Sequence, residues 1–236
     1  MNAAPLTIGI VGGISPESTG TYYKRIVERH RAERGDHAYP RIVIASVTFA
    51  TYLEWQHAGK WERIGRALEQ ELQSLKSAGA DFALIGANTM HKALPSIRLA
   101  LPVLSVLDAV GAHAKAKGIA SLGLTGTRFT MSDGFYARGL EERGVAAVVP
   151  DAAEQEAIQR IIFEELVRGR VERESVARFA EIARGLVRRG AQAVLLACTE
   201  LGMLTRGGGV DAPTVDTLEL HADAAWEVAM GLKPLQ

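Results

Sequence analysis

The 236-residue chain has a single cysteine, Cys198. That excludes an intramolecular disulfide and suits a reducing cytoplasm. No excess of either charge is present, since lysine plus arginine and aspartate plus glutamate number 27 each. Nucleic acid and membrane surfaces therefore exert no global electrostatic pull, although local groups can still hold a small anion. No apolar run approaches the roughly 18 residues of a membrane span. The opening MNAAPLTIGIVGG lacks a basic n-region and reads as a first strand, not as a signal peptide. No Pro/Ser-rich or low-complexity stretch provides a linker. Histidines 30, 37, 57, 91, 113 and 221 are scattered, without the paired spacing of metal ligands.

What is present is a repeat. Residues 78–89 read AGADFALIGANT and residues 189–200 read RGAQAVLLACTE. Gly79 and Gly190, Ala80 and Ala191, and Leu84 and Leu195 are each 111 positions apart. The same offset carries Pro102 to Pro213, and it carries Ala87 to Cys198. A second echo, IGIVGG at 8–13 against LGLTGT at 122–127, opens each half. Two similar halves follow, each ending a strand in a loop of small and polar residues. One loop holds a thiol and the other a methyl group.

Short apolar runs alternate with helical patterns. The expected strands are Thr7–Val11, Arg41–Val47, Phe82–Gly86, Val103–Ser105, Ser121–Thr125, Ala146–Val149, Ala193–Ala197 and Thr214–Val215. Most are unalternated, as strands covered on both faces should be. Trp61–Ser77, Ala153–Val167 and Val176–Arg189 carry apolar residues at spacings of three and four, which predicts amphipathic helices. Strand–helix alternation implies parallel sheets with right-handed crossovers. The expected fold is α/β, with two lobes related by a pseudo-twofold, each a parallel sheet flanked by helices, and an active site in the cleft between them. The N-terminal lobe would comprise 1–104 plus 217–236, and the C-terminal lobe 105–216. The length is ample for such a core.

Ligands of such sheets bind beyond the carboxyl ends of the strands. The loops there are Gly12–Thr19, Ala87–Lys92, Thr125–Thr130 and Cys198–Leu201. GIVGGISPEST at 9–19 lacks the G-x-G-x-x-G spacing, and the second strand ends without an acidic residue, which argues against a dinucleotide. No Gly-Lys-Ser/Thr follows, so this is not a phosphate loop. It is a tight strand-to-helix turn or a small-anion cradle of backbone amides with the Ser15 and Ser18 hydroxyls. Cys198 is a buried small hydrophobe, a general base or a nucleophile. If a helix begins at Thr199-Glu200, its dipole would lower the thiol pKa.

GG-x-S-x-E-S-T at 12–19, ANTMHK at 87–92, GTRxTM at 126–131 and ACTE at 197–200 occur in this order. Together with the repeat, they resemble the aspartate/glutamate racemase superfamily over essentially the whole chain, closest to the branch acting on acidic amino acids. The resemblance implies an isomerase using neither pyridoxal phosphate nor metal. It also implies a small dicarboxylate amino-acid substrate and a homodimer. Such enzymes invert the α-carbon with two acid/base groups on opposite faces, usually two cysteines, while hydrogen bonds stabilise the enolate-like charge. Carried onto this chain, Cys198 is the second-lobe acid/base, and Asn88, Thr89, Thr127 and Thr199 hold the carboxylate. Ser15 closes one side and Gln56 is a candidate for the distal carboxylate. Each of these can equally be an ordinary cap or turn residue.

Ala87 departs from the pattern, because it stands where the family has its first cysteine and some members threonine. A methyl group neither accepts nor donates a proton. The replacement is engineered or natural, and His91 or a water is a candidate substitute base. The remaining alternatives are a single-cysteine lyase or isomerase related to arylmalonate decarboxylase, and an inactive small-carboxylate-binding protein.

Overall fold

A computed structural model describes residues 4–235. Residues 1–3 and 236, expected within the N-terminal lobe, lie outside the described residues. The chain forms two compact units, each a parallel sheet flanked by helices. The first runs to Val106 and resumes at His221, and the second is Leu107–Leu220.

In the first unit, β1 (Ile8–Gly12), α1 (Pro16–Arg34), β2 (Ile42–Ser46), α2 (Phe49–His57), α3 (Trp61–Ser77) and β3 (Phe82–Ile85) precede a 3-10 helix at Asn88–Ser96. The strand order is β2-β1-β3, all parallel, with Ile8 opposite both Ile42 and Phe82. β1 and β3 are buried along their whole length, which accounts for their unbroken apolar runs. Ile64, Leu68, Leu72 and Leu75 form the buried stripe of α3. Each such fully buried side chain contributes about 1.5–3 kcal/mol. The expected strand Val103–Ser105 is reduced to one bridge, Ala83 to Val103. Pro102 has no N–H, so only its carbonyl serves the ladder, accepting from Ala83 N (2.9 Å). The chain then enters a helix at Val106 before a strand can extend.

The second unit contains α4 (Val106–Lys117), β4 (Ser121–Gly126), α5 (Arg128–Ser132), α6 (Phe135–Glu141), β5 (Ala146–Val148), α7 (Ala152–Arg160), α8 (Arg173–Arg188), β6 (Ala193–Ala197), α9 (Gly202–Thr205), β7 (Thr214–Asp216) and the start of α10 (Thr217–Ala229). Its order, β5-β4-β6-β7, repeats that of the first unit, with β7 in the place of the Val103 bridge. The helix expected over Ala153–Val167 is broken. α7 passes into a π-helical segment at Ile161–Glu165, then a 3-10 turn at Leu166–Arg168 that closes on left-handed Gly169. This winding keeps Ile158, Ile161, Ile162 and Leu166 all inside one apolar cluster, which also contains Cys198.

The unit boundaries fall at 106/107 and 220/221, against the expected 104/105 and 216/217. α10 belongs to both units. Thr217 Oγ1 donates to Leu196 O (2.9 Å) and Leu220 packs on the cluster around Val110 and Val215. From His221 onward the helix is tied to Leu104, Tyr22 and His30 instead.

Candidate functional site

The strand ends of the first unit present a tightly bonded turn. Gly13 has φ 83°, and a Cβ there would lie 2.2 Å from Val47 O, so only glycine fits. Ser15 follows with φ 83° and ψ 108°, the one non-glycine residue at positive φ among those described. Such a conformation costs about 1–3 kcal/mol. It aims the Ser15 carbonyl at the hydroxyls of Ser18 (2.9 Å) and Thr19 (3.1 Å), while Ser15 Oγ caps α1 by accepting from Ser18 N (3.4 Å). Thr19 Oγ1 also accepts from Gly13 N (2.8 Å). Ser15 thus serves as a helix cap, whatever else it binds.

At the end of β3, Ala87 is extended and precedes the 3-10 helix, in which Asn88, Thr89 and His91 are buried. His91 Nδ1–H donates to Ala87 O (3.1 Å), and Nε2 accepts from Val106 N (3.2 Å). These two bonds require the neutral tautomer with its proton on Nδ1. Both nitrogens are committed to backbone, so His91 pins the Ala87 loop and is a poor substitute base. It is neither a surface residue nor a simple helix start. Beside it lies His221, fully buried, with Nε2–H donating to Leu104 O (2.9 Å) and Nδ1 accepting from Tyr22 OH (3.0 Å). Burial pushes the His221 pKa down to about 3. Gln56 is buried on α2, one turn beyond Tyr52.

In the second unit, Thr127 caps α5, its Oγ1 accepting from Thr130 N (3.4 Å) and lying 3.2 Å from Thr130 Oγ1. Arg128 is engaged elsewhere, its backbone N–H with Gln159 and its guanidinium with Glu156. Cys198 ends β6 at 8% exposure. The helix after it does not begin at Thr199 but at Gly202, and it has four residues. The expected dipole assistance is therefore missing. Burial, and next the carboxylate of Glu200, push the Cys198 thiol well above its ordinary pKa. This overturns the expectation of a thiolate.

Glu200 lies at the thiol although it was not among the expected site residues. Its Oε2 accepts from Cys198 Sγ (3.1 Å) and from Thr199 Oγ1 (2.8 Å). The Thr199 hydroxyl proton is thereby spent, so Thr199 can meet a substrate carboxylate only through its backbone N–H. The signal was present in ACTE, but spacing alone does not say that a glutamate two positions on turns back to the thiol. Asp216, at the end of β7, also acts on Cys198. A Cβ on Gly202 would lie 2.4 Å from Asp216 Oδ2, so glycine admits this carboxylate. Burial pushes the Asp216 pKa up to about 6. Among the described residues no group of three or more His, Cys, Asp or Glu could hold a metal ion, and no helix is long and apolar enough to cross a membrane.

The family model for Asp/Glu/Hydantoin racemases matches residues 11–225. A candidate Asp/Glu racemase from Yersinia pestis is 35% identical, covering 95% of this chain and 99% of that one with a TM-score of 0.87. PH1733, an aspartate racemase homologue from Pyrococcus horikoshii, is 34% identical over 94% and 98% of the two chains, at 0.79. The aspartate racemase of Picrophilus torridus, at 23% identity, covers 98% and 96% with a TM-score of 0.75, and its likeness is one of fold.

Proposed function

Because the chain belongs to the Asp/Glu/Hydantoin racemase family, we propose that it acts on the α-carbon of acidic amino acids, aspartate or glutamate, as a cofactor-independent racemase in which Cys198 is the acid/base. The observation that carries this reading is the Cys198 thiol at the carboxyl end of β6, hydrogen-bonded to a buried carboxylate. It stands at the repeat position of Ala87 at the end of β3. A thiol poised to exchange its proton has the chemistry that α-carbon inversion needs. Asn88, Thr89, Thr127 and Thr199 hold the substrate carboxylate and stabilise the charge that develops on it. Ser15 closes the pocket, and Gln56 meets the distal carboxylate. The reading requires one substrate to reach both strand ends. The single cysteine and the family support a cytoplasmic homodimer.

With a methyl group at position 87, proton transfer runs from the Cys198 face alone. Incubation in deuterated water with each enantiomer of aspartate and glutamate, followed by NMR of the α-proton, tests this. Exchange from one enantiomer only is the expected result. Equal racemisation from both hands would reveal a second base, and no exchange from any of the four would remove the racemase reading. One observation favours a second reading. A methyl group at Ala87, together with a Cys198 thiol that rests protonated, also suits a lyase that protonates an enediolate from one face, and malonate decarboxylation assays distinguish it.

A further inference from the structure

We propose that a cavity on the second unit, between the end of α8 and the segment leading into β7, is a second ligand site that takes a small organic monocarboxylate. This site is independent of the racemase reading. The cavity has a volume of about 270 Å³ and is lined by Arg184, Val187, Arg188, Asp211, Ala212 and Pro213. Pro213 immediately precedes β7, which puts the cavity at the amino ends of the strands, whereas Cys198 follows the carboxyl end of β6. The rise from Ala193 to Cys198, about 3.3 Å per residue, separates the two ends of the sheet by about 16 Å. A ligand held here does not occupy the thiol's surroundings.

The internal repeat separates what the fold requires at this place from what it does not. Subtracting 111 from each position sets α8 against α3. The buried stripe is kept, with Phe179, Ala183 and Leu186 answering to Leu68, Leu72 and Leu75, and Pro213 answers to Pro102. The cavity side chains are not kept. Arg184, Arg188 and Asp211 stand where the first unit has Gln73, Ser77 and Ala100, and Val187 stands where it has Lys76. The same helix-to-strand passage therefore folds without charged walls and without an apolar floor.

Those walls and that floor select a ligand. Arg184 is paired with Asp211 (2.9 Å), while the Arg188 guanidinium has no hydrogen bond or ion pair among the described residues. Two guanidiniums and one carboxylate leave one net positive charge, which a monoanion complements. The planar fork of Arg188 matches a carboxylate. The negative end of α8 lies beside the cavity and limits the charge that can be added, which favours a carboxylate over a phosphate dianion. Val187 and Ala212 pack on the apolar cluster of the second unit and, with Pro213, offer a surface for hydrocarbon. Pockets for drug-sized ligands span about 300–1,000 Å³, so the smaller volume here suits a body of only a few carbons.

The probe is 3-methylbutanoate, titrated at neutral pH into isotope-labelled protein and followed by amide NMR shifts. Saturable shifts at 184–188 and 211–214 are expected, with a Kd of about 1–10 mM. Arg188→Gln alters an exposed side chain without a partner and should weaken binding at least about tenfold. The uncharged 3-methylbutanamide, of the same shape, should also bind at least about tenfold more weakly. Shifts confined to 87–89 and 198–200, or no saturable shift up to about 50 mM, overturn the proposal. An unchanged Kd for Arg188→Gln or for the amide does the same. Inorganic phosphate binding as tightly as the carboxylate would show that the cavity reads charge alone, and would overturn it too.

Discussion

His221 gives the fold of the first unit a pH dependence that can be worked through. In the native state its pKa is pushed down to about 3 by burial, against 6.5 for the exposed side chain. Between those values the unfolded chain binds the proton and the folded one does not, so stability is complete above pH 6.5 and is lost as pH falls toward 3. Linkage over this interval gives a loss of about 2 kcal/mol from this residue alone between pH 7 and pH 5. The substitution His221→Gln retains a donor for Leu104 O and an acceptor for Tyr22 OH but does not titrate. Its stability should therefore fall by about 2 kcal/mol less than that of the wild type over the same interval. Trp55, Trp61 and Trp226 all lie in the first unit, so urea unfolding followed by tryptophan fluorescence reports on the relevant part of the chain. Asp216, with its pKa raised to about 6, contributes the opposite slope: stability present at low pH and lost as pH rises through 6. Both proteins carry Asp216, so it cancels in the difference. Parallel pH profiles for wild type and His221→Gln would show that His221 is not held neutral by its burial and would refute the argument.

Two further substitutions test the strand-end turns. Ser15→Gly releases strain of about 1–3 kcal/mol, offset by about 0.4–1 kcal/mol of unfolded-chain entropy and a few tenths for the cap, so denaturation should show a gain near 1 kcal/mol. Ser15→Ala keeps the strain and loses the cap, a cost of about 0.5–2 kcal/mol; two destabilised variants would contradict the strain assignment. Ala87 is extended, with φ −152° and ψ 122°, so Ala87→Cys needs no backbone change and should raise racemisation by about 10²–10⁴, measured by chiral chromatography. No gain would favour the lyase or the binding-only alternative.

Much of the molecule is local information and was therefore legible in the chain. The unalternated runs marked β1, β3, β4 and β6, the three-and-four spacing marked α3 and α8, and the repeat placed Ala87 and Cys198 at equivalent strand ends. Those features depend on residues close together in sequence, and the motifs that carry the family are likewise contiguous. The protonation of the site is not local. Cys198 rests as a thiol because the second unit buries it and because Glu200 turns back onto it. His91 cannot act as a base because Val106, 15 positions on, occupies its second nitrogen. His221 is neutral because it meets Leu104, 117 positions away. Sequence by itself determined the strand ends and which residue types stand there. Tertiary structure decided which of them holds the proton, because desolvation and hydrogen-bond partners set a pKa and both arise only when distant segments pack.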